Sequence, residues 1–161
     1  LTIVSDAISL VVTLVAAILN PLYCNTDNKH MGISKIIDEK QYRIKRNGEI
    51  FTPPELANKL LSALPREVWQ KDKTFLDPAC GDGNLLIAVL QRKIELGHKP
   101  LEALKTLYGV DIMPDNVEGC RNRLLQVVSA IEEITSEHKE IVLTNIVNAN
   151  ALEYDFLFAK V

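Results

Sequence analysis

One segment constrains the fold of this chain more than any other. It runs Thr74-Phe75-Leu76-Asp77-Pro78-Ala79-Cys80-Gly81-Asp82-Gly83-Asn84-Leu85-Leu86. Thr74 to Asp77 reads as a short buried strand, and Pro78 stops it. Apolar residues then recur at Leu85, Leu86, Val89, Leu90 and Ile94, the spacing of a helix that ends near Gly97. Between strand and helix, Gly81 and Gly83 allow positive φ and close approach of the backbone to a ligand. The helix start adds backbone N–H groups and a positive dipole end. A strand, a glycine turn and a helix in that order imply an α/β fold.

The rest of the chain repeats the alternation. Upstream, Thr52-Pro53-Pro54-Glu55 reads as a helix start, with Thr52 as cap, Pro53 at the first helical position and Glu55 completing a capping box. Leu56, Leu60, Leu61 and Leu64 give that helix an apolar face, and Pro65 ends it. Downstream, Leu101 to Lys105 reads as a short helix and Leu107-Tyr108-Gly109-Val110-Asp111 as a second strand with an acid at its end. Pro114 opens a long helix with apolar positions Val117, Cys120, Leu124, Val127, Val128, Ile131 and Ile134. A third strand is expected near Asn145 to Asn148. Alternating strands and helices predict a parallel sheet with helices on both faces. Ligands of such sheets bind beyond the carboxyl ends of the strands, and the polar motifs lie there.

Residues 1–30 differ from the remainder of the chain. Ala7 to Leu19 is apolar apart from Ser9 and Thr13, and the first Met is Met31. The run is short for a membrane span, which needs about 20 residues. It also lacks the basic start of a secretory signal. Residues 1–30 are therefore expected to be an apolar leader outside the domain, and 31–161 a partial ligand-binding domain. The segment 35–50, with Lys35, Lys40, Arg43, Lys45 and Arg46, reads as a solvated lead-in. The net charge is −3, so any attraction to a phosphate backbone must be local or come from elsewhere. Cys24, Cys80 and Cys120 have no CxxC spacing, which argues against a disulfide framework or zinc site and for a reducing, cytoplasmic setting. His30, His98 and His138 stand apart and read as surface or capping residues, so no metal is expected.

The strand ends carry the chemistry. Asp111 can accept hydrogen bonds from both hydroxyls of a ribose; its plainer role would be a turn or helix-capping Asp before Pro114. Ile112 could cover an adenine face, or be core. The Asn150 amide could pair with an adenine edge, or serve a turn. A dinucleotide fingerprint would place a third glycine at position 86, where Leu86 stands, which disfavours a nicotinamide or flavin oxidoreductase. Taken together, the three sites ask for a ligand with a zwitterionic part, a ribose and an adenine.

These residues resemble a known family. Asp77-Pro78-Ala79-Cys80-Gly81-Asp82-Gly83-Asn84-Leu85-Leu86 is similar to the first cofactor motif of the amino-group DNA methyltransferases, the adenine-specific, restriction-modification type in particular. Gly48-Glu49-Ile50-Phe51-Thr52-Pro53 resembles the motif that precedes it, Gly109-Val110-Asp111-Ile112 the second-strand motif, and Asn148-Ala149-Asn150-Ala151-Leu152 the third. The resemblance implies a Rossmann-like class I methyltransferase sheet, truncated after about three strands, with S-adenosyl-L-methionine as cofactor and DNA as partner. By position, Phe51 and Thr52 would line the methionine end of the cofactor. Asp77, Ala79, Gly81 and Gly83 would hold its amino-acid part. Asp111 would bind the ribose, Ile112 would pack on the adenine, and Asn150 would meet the adenine amino group.

Two departures qualify the resemblance. The family usually has Asp at the position of Asn150; a charge-assisted hydrogen bond is worth about 1.5–3 kcal/mol against roughly 1 for a neutral one. The family's catalytic tetrad, Asn or Asp followed by Pro-Pro and an aromatic residue, does not occur; Pro53-Pro54 follows Thr52. The expectation is that the tetrad and the DNA-recognition region lie beyond Val161, so no catalytic residue is named and the fragment alone should not turn over. Alternatives are an RNA or protein methyltransferase of the same fold, or a truncated, inactive cofactor-binding fragment.

Overall fold

Three strands, β1 (Phe75–Asp77), β2 (Leu107–Asp111) and β3 (Ile146–Asn148), pair in parallel in the order β1-β2-β3. The computed structural model describes residues 51–156; the expected leader at 1–30 and lead-in at 35–50 lie outside the described residues. Leu76 pairs with Tyr108, and Val110 with Val147, so Asp77, Asp111 and Asn148 reach the same carboxyl edge. Parallel pairing of consecutive strands requires helical crossovers. Helices α2 (Asn84–Glu95) and α3 (Pro100–Leu104) connect β1 to β2, while α4 (Pro114–Ser129) and α5 (Ser136–Asn145) connect β2 to β3. Helix α1 (Pro54–Ser62) and a 3-10 turn (Arg66–Trp69) precede the sheet.

Both crossovers step the same way across the sheet, so right-handed connections place their helices on one face. The packing agrees: α2 touches α1, α3 and α4, and α4 touches α5. The parallel α/β sheet with helical crossovers is the architecture expected, and the described helices pack on one another. The core lies under the single layer, built from Leu86, Val89 and Leu90 of α2, Val117, Cys120, Leu124 and Val128 of α4, and Leu107 and Ile146 of the sheet. Each such aliphatic side chain contributes about 1.5–3 kcal/mol on burial. Val110 is buried yet stands outside this cluster, because alternation along β2 turns it to the opposite face.

Local expectations fared unevenly. β2 spans the residues expected, and β1 and β3 differ by one residue. Helix α1 starts one residue late: Pro53 is its N-cap, Pro54 occupies the first turn, and no side chain caps it, so the Thr52–Glu55 capping box is not formed. Its inner face is Ala57 and Leu61, whereas Leu56 is 40% exposed; the sheltered stripe is narrower than the leucine pattern suggested. The long helix expected from Pro114 to Ile134 ends at Ser129, and Ile131 is exposed. The apolar pattern does not announce the separate helix α5. Thr135 caps it, and His138 takes the capping-box place usually held by Glu. His138 Nδ1 accepts from the Thr135 N–H at 3.1 Å, which leaves Nε2 to donate to Glu132 at 2.8 Å. The capping role expected of a histidine is thus seen, but in a buried side chain.

One buried cation has no precedent in the sequence pattern. Lys93 is 0% exposed, on the inner side of α2. Its ammonium donates to the Lys73 carbonyl and the Thr106 hydroxyl, both at 2.6 Å, and lies 5.3 Å from the centre of the Phe75 ring. Burial lowers its pKa to about 8.

Candidate cofactor cleft

A shallow open cleft lies at the carboxyl end of β1, lined by Phe51, Thr52, Asp77, Ala79, Cys80, Gly81, Asp82, Asn84 and Leu85. The turn that forms it is tied at several points. Cys80 N–H donates to the Val110 carbonyl at 3.0 Å, continuing the ladder past β1. Ala79 N–H donates to the Asp77 carboxylate at 3.2 Å. Gly81 N–H donates to Asp111 Oδ2 at 2.9 Å, joining the ends of β1 and β2. Asp111 Oδ1 accepts from Met113 N–H at 2.9 Å and Asn116 at 3.3 Å. Two carboxylate oxygens offer about four lone-pair sites, so Asp111 retains acceptor capacity while it braces the turn.

The two glycines do different work. Gly81, at φ +52°, lies beneath the Phe51 ring, and an added Cβ would stand 3.2 Å from that ring. Gly83, at φ +91°, is the N-cap of α2 and is not among the residues lining the cleft; an added Cβ would meet Cys120 Sγ at 2.6 Å. Its requirement is the close approach of α4 as well as its own dihedral. Cys80 and Cys120 are both buried. The hydrogen bond that the Cys80 thiol donates to Cys120, then burial and the nearby Asp77 and Asp111 charges, push that thiol well up. A thiol held protonated is not a nucleophile at neutral pH.

Asp77 is the perturbed carboxylate of the cleft. Burial raises its pKa to about 6; the Ala79 N–H opposes the shift and the Asp111 charge adds to it. Asp82 has one oxygen in an ion pair with Arg123 at 2.6 Å, and its other oxygen, Oδ1, is buried without a hydrogen-bond partner among the described residues. A cleft with an ionisable carboxylate and an orphaned acceptor suits a ligand that brings a cation or N–H donors.

Of the residues singled out in the sequence, the structure gathers Phe51, Thr52, Asp77, Ala79 and Gly81 around the cleft, with Asp111 bonded to its rim. Ile112, next along from Asp111, is 61% exposed, which leaves an apolar surface beside the site. Asn150 is engaged in a turn: its Oδ1 accepts from Leu152 N–H at 3.1 Å, and its carbonyl accepts from Glu153 and Tyr154. Sequence reasoning missed Asn148, Asn84 and Arg123. Asn148 Nδ2 donates to the Asp111 and Ile112 carbonyls at 2.9 Å each and so fixes the end of β2. Asn84 stands beside Gly83 and was legible as part of the turn. Nothing in the local sequence of Arg123 points to a turn so far back in the chain.

A parallel α/β sheet with a glycine turn, an acid at the next strand end and a cleft between them defines a ligand-binding domain of the Rossmann-like type. Residues 36–157 match the N-6 DNA Methylase family, and the chain belongs to that family. It is 34% identical over 103 residues to "Type II methyltransferase M.VspI" of Vibrio sp. (strain 343). That match covers 63% of this chain and 23% of the relative, so the chain spans well under half of that protein's length. No solved structure matches it significantly. Among the described residues, no helix is long and apolar enough to cross a membrane.

Proposed function

We propose that this chain is the S-adenosyl-L-methionine-binding part of a DNA methyltransferase that modifies the exocyclic amine of adenine, in a restriction-modification setting and in the cytoplasm. The observation that carries the reading is the hydrogen bond from Gly81 N–H to Asp111. It draws the first and second strand-end motifs to one cleft, beneath Phe51. The cofactor would supply an activated methyl group on a sulfonium. Asp77 and the orphaned Asp82 oxygen would accept from its ammonium. The start of α2, where no side chain caps the first turn, would face its carboxylate. Asp111, with three of its acceptor sites already in use, would take one ribose hydroxyl. Ile112 would lie along the adenine, at the cost of little reorganisation because it is already exposed. Asn150, with its oxygen already holding Leu152, would meet the adenine edge more weakly than the family's usual Asp.

Transfer of a methyl group to a base inside a duplex requires that base to be flipped out. The 161-residue sequence holds no Asn-Pro-Pro or Asp-Pro-Pro to receive it, so this reading gives the chain the cofactor and not the target base. Calorimetric titration of the chain with S-adenosylmethionine, its demethylated product and NAD tests the proposal. Binding of the first two, lost in Asp111→Ala, is expected. Binding of NAD alone, or of none of the three, would refute it. For a full-length methyltransferase that carries this domain, radiolabelled methyl transfer to duplex DNA, recovered as N6-methyladenine, is expected. Label in RNA or protein instead would overturn the DNA assignment.

A further inference from the structure

Arg123, on α4, does not line the cleft, yet its hydrogen bonds and its ion pair end on residues that do. Its Nη1 donates to the Asp82 carbonyl at 2.9 Å and pairs with Asp82 Oδ2 at 2.6 Å. Its Nη2 donates to Asn84 Oδ1 at 2.7 Å. Asn84 Nδ2 in turn donates to the Thr52 carbonyl at 3.0 Å. We infer that Arg123 is a positioning residue for cofactor binding: through Asn84 it orders the Phe51–Thr52 segment over the glycine turn.

Donor and acceptor types dictate this arrangement. A guanidinium has only donors, and a backbone carbonyl only accepts. With Arg123 on one side and Thr52 O on the other, the Asn84 amide has a single orientation that satisfies both. Arg123 therefore decides which end of Asn84 faces Thr52. Thr52 anchors its neighbour Phe51, whose ring lies against Gly81. The same guanidinium holds one Asp82 oxygen, which leaves the other as an acceptor without a partner among the described residues. The Asp82–Arg123 pair is partly exposed, so its worth lies in geometry more than in stability. The fork of Arg spans two acceptors; Lys is a point donor and would hold Asp82 or Asn84.

This inference rests on the cleft binding S-adenosylmethionine as proposed above, and its test keeps the two apart. The measurements are the dissociation constant of S-adenosylmethionine by calorimetry and amide hydrogen exchange of the ligand-free chain, for wild type, R123A, R123K and N84D. The carboxylate introduced by N84D keeps an acceptor, now charged, for Arg123 but turns an acceptor towards Thr52 O. N84D should therefore keep or raise the thermal midpoint while losing the relay. Expected are affinities about tenfold weaker in R123A and N84D, on the order of one hydrogen bond lost. R123K should fall between them and wild type. Exchange in 51–57 should be faster in R123A and N84D, with 85–95 unchanged. A merely structural role would not separate N84D stability from its affinity. Should R123A fail to fold, exchange at 51–57 in N84D carries the decision, because a carboxylate at the start of α2 would also repel the cofactor's carboxylate directly. Wild-type affinity in N84D, or unchanged exchange in 51–57, overturns the inference. If wild type does not bind S-adenosylmethionine, the proposed function falls, and the exchange comparison still confirms or refutes the relay.

Discussion

Replacing Gly83 with Ala should destabilise the domain through two separable terms. The backbone at Gly83 has φ +91°, where a Cβ crowds the following carbonyl; for a non-glycine residue this costs about 1–2 kcal/mol. The new methyl would also stand 2.6 Å from Cys120 Sγ, with Cys120 Cβ at 3.2 Å and Cα at 3.4 Å. Relief of such overlap in a packed core costs about 1–3 kcal/mol. The sum is about 2–5 kcal/mol, a large share of the roughly 5–15 kcal/mol that holds an average domain together. Urea unfolding followed by Trp69 reports it directly, because Trp69 is the single tryptophan and packs 5.2 Å from the Phe75 ring. The double-mutant cycle with Cys120→Ala separates the terms. Removing the sulfur relieves the closest overlap but leaves the dihedral strain, so G83A should cost about 1–3 kcal/mol less in the C120A background. Gly81→Ala is the contrast. Its neighbour is the edge of the Phe51 ring at 3.2 Å, a side chain nearer the surface. It should perturb ligand binding more than stability. A G83A variant within about 0.5 kcal/mol of wild type, or no coupling to C120A, would refute the account of α2–α4 packing.

Two further predictions concern charge. Lys93 has its pKa lowered by burial from 10.5 to about 8, so the unfolded state binds more protons between those values and stability should rise as pH goes from 8 towards 10.5. The gain is on the order of 3 kcal/mol, and it should vanish in Lys93→Met; a flat pH profile in the wild-type chain would contradict a buried ammonium. Asp77 is raised from 3.8 to about 6, so its protonated form favours the fold below 3.8 and that contribution is lost as pH rises through 6. Binding of a cationic ligand should run the other way, strengthening as pH rises through about 6 as the carboxylate ionises. Calorimetric titrations spanning that pKa on both sides check this, and Asp77→Asn should abolish the dependence.

The elements around the turn can be read along the chain. Pro78, the two glycines and the spacing of Leu85, Leu86, Val89 and Leu90 are local signals. They act over a few residues, so β1, α2 and β2 were legible with near-correct bounds. The cleft residues at these strand ends followed, because parallel sheets send every strand's carboxyl end to one edge. Helix α5 was hidden because its cap uses His138 where Glu is the usual signal, and because apolar residues at Ile131 and Ile134 prolonged an apparent period that α4 does not keep. The remainder came from packing in three dimensions. The fold assigned Gly83 to helix packing, placed Lys93 among Lys73, Thr106 and Phe75, and brought Arg123 to Asp82 and Asn84. Those contacts join residues far apart in the chain. Their partners are chosen by which helix faces meet over the sheet, and a pattern read along the chain carries no record of that choice.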